Sequence, residues 1–188
     1  MLKKKSILFF LIIFFLNNKI LVANDKLKII DNINSIETLK FSFTQISFDK
    51  EENGICFLKR PHFLKCEYKD KIQKELIINR KNLVIYHKKY NRIYFYPVRK
   101  SYFSDILDKK KFEDLLLNGV LSYGNKFLRI NYFSEKKGKI IFSFDKKNFN
   151  LSGWEITDFN GNPTNFEINN LYKNIDLDKK LFSIPLIN

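Results

Sequence analysis

Short runs of alternating apolar and polar residues dominate this chain and favour a mostly β fold. Alternation of this kind places apolar side chains on one face of a strand and polar ones on the other. Polar turns separate the runs, and Asn160-Gly161 is a strong hairpin signal. Successive hairpins predict an antiparallel meander, and eight or more strands in one domain tend to curl. The predicted strands cover residues 41–46, 55–59, 63–68, 76–78, 83–87, 93–96, 126–133, 139–145, 153–159 and 164–170.

Helical spacing of apolar residues appears at two places. The first segment, residues 25–35, precedes the strands and predicts an amphipathic helix. The second lies between the two groups of strands, where the charged run 108–111 indicates either two short helices or one kinked helix, and Gly119 is a candidate for the residue after the helix end. The apolar positions that carry this spacing are Leu27, Ile30, Ile33 and Ile36 in the first segment, and Phe103, Ile106, Leu107, Phe112, Leu115 and Leu116 in the second.

The N-terminus is typical of a secretory signal peptide. Lysines at 3–5 precede ten apolar residues at 7–16, and Ala23 offers a small residue for cleavage. An uncleaved anchor that extends through Ala23 is the alternative. We therefore expect residues 1–23 to be a signal peptide and residues 24–188 a single periplasmic domain. A lipoprotein would need Cys at position 24, which is Asn24 here, so we expect that this chain is not itself lipidated. No stretch reaches 18 unbroken apolar residues, which excludes a polytopic membrane protein.

The chain is strongly basic, with 34 Lys and Arg against 20 Asp and Glu. Residues 24–188 keep 30 of these basic residues and all 20 acidic ones. This excess permits attraction to anionic lipid surfaces. Only five of the basic residues are Arg, and Lys, Asn, Ile and Phe are abundant together, so the composition favours drift of an AT-rich coding sequence as the explanation of the charge. The basic residues follow no nucleic-acid-binding motif, so we expect no nucleic acid partner.

Enzymatic and metal chemistry find little support in the sequence. The chain has two His, His62 and His87, and no catalytic or nucleotide-binding motif, so we expect no enzyme and no cofactor. Two Cys with one nearby His do not make a zinc site. A hairpin turning at 60–62 places Cys56 opposite Cys66. An oxidising periplasm permits a disulfide there, whereas the awkward geometry of directly opposite Cys pairs favours buried thiols.

An ordered set of short motifs then spans nearly the whole chain behind the leader. The set resembles the LolA family, the periplasmic carriers of outer-membrane lipoproteins, over residues 29–185. Leu64 and Cys66 stand where the family usually has Phe and Trp, which implies a thinner pocket wall. The matching motifs are the run from Ile36 to Gln45, Gly54, Lys59-Arg60-Pro61, Glu67-Tyr68, residues 83–86, Trp154-Glu155-Ile156, Asp158, Asn160-Gly161, Asn174, Asp176, Leu181-Phe182 and Pro185.

The resemblance implies a fold and a function. The fold is an incomplete antiparallel β-barrel that encloses an apolar cavity and is closed by a helical lid. The function is to bind the acyl chains of lipoproteins, accept them from an inner-membrane ABC transporter complex and pass them to an outer-membrane acceptor, as a monomer without cofactor. The alternatives are another lipid- or lipoprotein-binding sensor domain of this fold, or a basic adaptor at a membrane surface.

Arg60 is the candidate of greatest interest. Strand alternation places it on the same face as Leu58 and Cys56, which predicts a cation at a buried rim, and an Arg that extends to solvent at the barrel edge is the alternative. The resemblance implies that Arg60 latches the lid through backbone carbonyls, while Pro61 ends strand pairing. The expected cavity lining is Phe41, Phe43, Cys56, Leu58, Leu64, Cys66 and Tyr68, and the expected lid residues are Ile30, Ile33, Ile36, Phe103, Ile106, Leu107 and Leu115.

Overall fold

The computed structural model describes residues 24–186. The predicted signal peptide at 1–23 lies outside these residues. Within residues 24–186, none of the helices is both long enough and apolar enough to cross a membrane.

An antiparallel sheet of eleven strands forms the body of residues 24–186. Its order is β6-β5-β4-β3-β2-β1-β11-β10-β9-β8-β7, so the first strand pairs with the last and the sheet stays open between β6 and β7. This confirms the incomplete barrel. The strands are β1 (Thr38–Ser47), β2 (Lys50–Lys59), β3 (Phe63–Tyr68), β4 (Lys74–Asn79), β5 (Asn82–His87), β6 (Arg92–Pro97), β7 (Val120–Tyr123), β8 (Phe127–Ser134), β9 (Gly138–Asp145), β10 (Leu151–Thr157) and β11 (Pro163–Lys173).

Within the part of the chain that the structure describes, three α-helices accompany the sheet: α1 at residues 24–34, α2 (Phe103–Ile106) and α3 (Lys109–Asn118). The last two connect the edge strands β6 and β7. They are separate helices because Asp108 has an extended backbone and its carboxylate accepts a hydrogen bond from the Lys111 N–H at 3.1 Å, which caps the start of α3. Short 3-10 turns occupy Lys88–Tyr90, Val98–Lys100 and Lys179–Phe182.

The ten predicted strands are all present, and three details differ from the sequence predictions. Strand β7 has only four residues, too few for alternation to show. Gly119 has an extended backbone (φ −71°, ψ 157°) that leads directly into β7, so it is not a left-handed helix-ending residue. In α1, Ile29 is fully buried, whereas Leu27 is 54% exposed and lies off the apolar stripe.

The alternating turns define two ends of the sheet. We call one the Phe48 end, where the turns β1–β2, β3–β4, β5–β6, β8–β9 and β10–β11 lie. We call the other the Arg60 end, which carries the turns β2–β3, β4–β5, β7–β8 and β9–β10. The C-terminal segment covers part of the outer face, where the Phe182 ring lies 5.5 Å from that of Phe63 and the Asn79 side chain donates to the Phe182 carbonyl.

An aromatic stack fills the inner face near β1 and β11. The Phe166 ring lies 4.7 Å from Phe43 and 4.2 Å from Trp154, nearly parallel to both. Gly54 makes this arrangement possible, since a Cβ there would lie 2.1 Å from the Glu67 carbonyl oxygen and 2.8 Å from the Phe43 ring. Close approach of a ring to the strand backbone therefore requires glycine at this position.

Candidate functional site

The inner face of the sheet carries an apolar cavity of about 300 Å³. Its wall is aromatic and aliphatic, with Tyr68, Leu76, Ile85 and Ile156 among the lining residues. Gln45, Lys74 and Thr164 line the part that extends toward the Phe48 end. We call this space the open cavity. Its volume and apolar lining are within the range of small-molecule binding sites.

A second, deeper apolar space lies nearer the Arg60 end, and helix side chains fill most of it. Only about 30 Å³ remains, roughly the volume of one water molecule. Ile33 of α1 and Phe112 of α3 line it together with strand residues. The two spaces share lining residues and form one trough, which is empty at one end and occupied by the helices at the other. The shared residues are Phe41, Leu64, Phe103 and Trp154.

Most of the predicted lining residues border this trough. Phe41 and Leu64 line both parts, Leu58 lines the deep space, and Cys56, Cys66 and Tyr68 line the open cavity. Phe43 borders neither space, because its buried ring packs behind Phe166 and against Tyr68 at 5.0 Å. It belongs to the structural core.

The predicted lid residues divide in a similar way. Ile33, Ile36, Phe103, Ile106 and Leu107 line the deep space, although Ile36 lies just beyond the end of α1. Ile30 and Leu115 are buried in the core but border neither space. Sequence reasoning missed lining residues whose apolar alternation or helical spacing was visible: Leu39, Leu76, Ile85, Phe112, Leu151, Trp154, Ile156, Phe166, Ile168 and Leu171.

Arg60 lies in the wall of the deep space and is only 9% exposed. Its guanidinium carbon is 5.8 Å from the centre of the Phe112 ring of α3, within the range of a cation–π contact. Burial lowers the pKa of Arg60, and the charges of Glu37 and Asp108 oppose that shift. An Arg nevertheless stays protonated, so a positive charge lies beneath the helices.

Two donors of this guanidinium are unpaired. Arg60 Nε and Nη1 are buried and have no hydrogen-bond partner within residues 24–186. In this structure these two nitrogens make none of the carbonyl hydrogen bonds that the family resemblance implies, and the contact with α3 runs through the Phe112 ring. Pro61, which follows a cis peptide bond, is exposed and lines an outer groove with Leu107 and Asp108.

A few polar contacts join the helices to one another. Lys109 Nζ donates to the Asn34 carbonyl at 3.0 Å and pairs with Glu37. The Asn34 amide donates to Glu113 at 3.0 Å, and Lys26 Nζ donates to the Leu117 carbonyl at the end of α3 at 2.9 Å. Because partly exposed pairs of this kind contribute at most about 1 kcal/mol each, apolar packing supplies most of the attachment of the helices.

Tyr102 ties the start of the α2 segment to the sheet. Its hydroxyl donates to the Gly138 carbonyl at 2.6 Å, and burial, followed by the neighbouring Tyr132 and Asp105, raises the pKa of Tyr102 to about 12. Lys137, from the turn before β9, pairs with Asp105 of α2. This side of α2 is therefore held by a buried hydrogen bond and one ion pair.

Cys56 and Cys66 are directly opposite in the β2–β3 pair and form a disulfide. The predicted register is confirmed. The structure contains the disulfide and not the two buried thiols. The disulfide lies in the wall of the open cavity. It joins two strands whose turn carries Arg60.

Replacing both cysteines, as Cys56→Ala/Cys66→Ala, is expected to lower the free energy of unfolding by about 2–3 kcal/mol, because a cross-link ten residues apart restricts the unfolded chain by roughly that amount. Urea unfolding of the oxidised protein and of the variant measures the difference. Adding reductant to the wild type should reproduce most of the loss. Equal midpoints for oxidised and variant protein would contradict a stabilising disulfide.

A protein family has a sequence model that spans the whole sheet of this chain. The model of the family described as outer membrane lipoprotein carrier protein LolA matches residues 34–185. The chain belongs to the LolA family. The match covers every strand and both helices that connect the edge strands, as well as Arg60 and the disulfide. No protein of curated function matches the sequence significantly.

Solved structures share the fold at very low sequence identity. An uncharacterized conserved protein from Thermus thermophilus superposes with a TM-score of 0.55 at 10% identity, covering 87% of this chain and 94% of that one. A DUF1329 family protein from Desulfovibrio piger gives 0.50 at 7%, covering 86% and 97%. A LolA superfamily protein from Nitrosomonas europaea gives 0.43 at 9%, covering 83% and 96%. At such identities the likeness concerns the fold alone.

Proposed function

We propose that this LolA-family protein is a periplasmic carrier that binds the acyl chains of lipoproteins and transfers them from the inner to the outer membrane. One observation carries the proposal: the inner face of the sheet is a single apolar trough, part of which is empty and part of which is filled by helices. The open cavity can accept part of an acyl chain without any movement of the protein. The deep space would become available to it when the helices move away.

The energetic need for such a carrier is large. Moving one CH₂ group from lipid into water costs about 0.8 kcal/mol, so a chain of about sixteen carbons costs on the order of 12 kcal/mol. A lipoprotein carries up to three such chains. The aromatic and aliphatic lining of the trough would offset most of that cost while the cargo crosses the periplasm.

Loading would proceed by exchange of one apolar contact for another. The side chains of Phe103, Ile106 and Phe112 occupy the deep space in the empty protein. An acyl chain entering through the open cavity would replace them against the same wall, so apolar burial at the wall is kept while the helices move. The weak polar contacts of the helices would add little resistance.

Arg60 would contribute in both states. In the empty protein it contacts Phe112 of the lid, yet two of its buried donors lack acceptors. Ester carbonyls of a diacylglyceryl group would supply those acceptors, and a hydrogen bond from a charged donor contributes about 1.5–3 kcal/mol. Arg60 would therefore hold the closed lid loosely and favour a ligand that carries carbonyl oxygens next to its acyl chains.

The exchange partners follow from the same proposal. We propose an inner-membrane ABC transporter complex as donor and an outer-membrane lipoprotein as acceptor, with this chain acting as a monomer that uses no cofactor. A sensor domain that binds lipids or lipoproteins without delivering them is the alternative within this fold. The cargo distinguishes the two, and mass spectrometry of acyl species extracted from the purified protein identifies it.

Binding of a synthetic diacylated lipopeptide tests the proposal. We expect saturable binding of one lipopeptide per chain by calorimetry. The same peptide without acyl chains should not bind, because the trough recognises the hydrocarbon. Equal binding of the acylated and plain peptides, or no binding of either, would contradict the carrier proposal.

A further inference from the structure

Two phenylalanines at the Phe48 end are exposed at neighbouring hairpin tips. Phe48 lies in the β1–β2 turn and is 74% exposed, and Phe159 lies in the β10–β11 turn and is 63% exposed. The two hairpins adjoin because β1 pairs with β11, and the Ser47 and Thr164 hydroxyls are 3.1 Å apart. Adjacent exposed aromatic rings indicate a surface that contacts something other than water.

The backbone conformations of the two turns do not explain why Phe occupies positions 48 and 159. Phe48 and Asp49 form a two-residue hairpin loop in which both φ angles are positive, 49° and 59°. Such a loop favours Asn-Gly, and a bulky residue with positive φ is unfavourable. In the other turn, the Asp158 carboxylate accepts hydrogen bonds from the backbone N–H groups of residues 160 and 162, so the Phe159 side chain is not needed.

The remaining turns at the same end are basic. The turn residues 69–73, 88–91 and 135–137 together carry six Lys and two acidic residues. The aromatic hairpins themselves add Lys50 and the acidic Asp49, Glu51 and Asp158, which leaves seven basic residues against five acidic ones. Tyr90, in the turn between β5 and β6, contributes a third aromatic ring and is 56% exposed.

We propose that the Phe48 end docks on an anionic lipid bilayer, with the rings of Phe48 and Phe159 in the headgroup region and the basic turns against the lipid phosphates. Aromatic rings favour this region, and basic residues near an anionic leaflet contribute further attraction. Gln45 and Thr164 line the open cavity near this end, so docking would bring the cavity close to the membrane surface. The docking surface lies outside the trough and does not need an occupied cavity.

Sedimentation with vesicles of equal parts phosphatidylglycerol and phosphatidylcholine tests the proposal. The wild-type protein should bind these vesicles, and added salt should weaken the binding. The double variant Phe48→Asn/Phe159→Ser should bind about a hundredfold more weakly, since burial of each of the two rings is worth roughly tenfold. Because Asn suits the β1–β2 turn better than Phe, the variant should fold at least as well as the wild type.

Two matched controls locate the surface. Phe95→Thr removes a ring that is 62% exposed on the edge strand β6 and should leave vesicle binding unchanged. Lys88→Glu/Lys89→Glu should weaken binding more than the equal charge change Arg80→Glu/Lys81→Glu at the Arg60 end. In solution, Phe48→Asn/Phe159→Ser should still bind the diacylated lipopeptide, which separates docking from cargo binding.

Three results would overturn the proposal. The wild type fails to bind anionic vesicles, the double variant binds as the wild type does, or the two charge variants weaken binding equally. In the first case the exposed rings would serve a protein partner instead. None of these outcomes bears on cargo binding, because the lipopeptide measurement contains no bilayer.

Discussion

Arg60→Leu is expected to raise the free energy of unfolding of the empty protein by about 1–3 kcal/mol. The substitution removes a buried cation with two unpaired donors and puts an apolar side chain in the wall that Leu58 and Leu64 also line. The lost contact with Phe112 offsets part of the gain. Urea unfolding measures the change. Arg129→Leu, which alters an exposed arginine on β8, is the control and should change stability by less than about 0.5 kcal/mol.

The same variant is expected to lose selectivity for ester-linked cargo. The wild type should bind a diacyl lipopeptide about tenfold more tightly than the matched dialkyl ether, which lacks the carbonyl oxygens, since one charged hydrogen bond is worth roughly that factor. In Arg60→Leu the two ligands should bind equally. Delivery between membranes should also be impaired, because the closed lid becomes more stable. Wild-type delivery, or an unchanged ester preference, would contradict the role of Arg60.

Ile85→Trp is expected to weaken acyl binding by about tenfold or more while the free energy of unfolding changes by less than about 1 kcal/mol. Ile85 lines the open cavity, where the added ring would occupy empty apolar space rather than displace packed side chains. Overpacking of a filled core would instead destabilise the protein by about 1–3 kcal/mol. Calorimetry with the diacylated lipopeptide and urea unfolding measure the two quantities.

Tyr86→Trp is the matched control for this experiment. Tyr86 is the next residue along β5 and faces the opposite side of the sheet, so this substitution exchanges a phenol for the same indole ring outside the trough. The affinity of the Tyr86→Trp variant for the lipopeptide should equal that of the wild type. Equal losses in the two variants would mean that bulk on β5 acts on the strand itself, and an unaffected Ile85→Trp would mean that cargo does not use the open cavity.

Alternation of apolar residues was sufficient to predict most of the fold. Cys56 and Leu58 in one strand, like Leu64 and Cys66 in the next, repeat with period two, and most hairpin turns carry polar residues, so the meander and its order along the chain followed directly. Strand β7 was not predicted because the four residues at 120–123 are too few for alternation to show, although they pair with the next strand, β8, in a local hairpin. Gly119 leads directly into this strand, which accounts for its extended backbone.

The site was predictable only in part because lining a cavity depends on what fills the neighbouring space. Phe41 and Phe43 have the same alternation, yet only Phe41 borders the trough, since the Phe43 ring packs over Gly54 and behind Phe166. The burial of Arg60 followed from continuing the alternation of β2 to the residue just after its end, but the unpaired donors follow from the positions of the helices. Sequence alone likewise left the redox state of Cys56 open.

Trp154 provides the most direct test of the central claim that acyl chains enter the trough. It is the only tryptophan in the chain, is 8% exposed, and lines both the open cavity and the deep space. A lipopeptide with brominated acyl chains should quench its fluorescence and reach saturation at one ligand per chain, while the unbrominated lipopeptide should bind without quenching. Binding of the brominated lipopeptide with no loss of Trp154 fluorescence would place the acyl chains elsewhere and contradict the account.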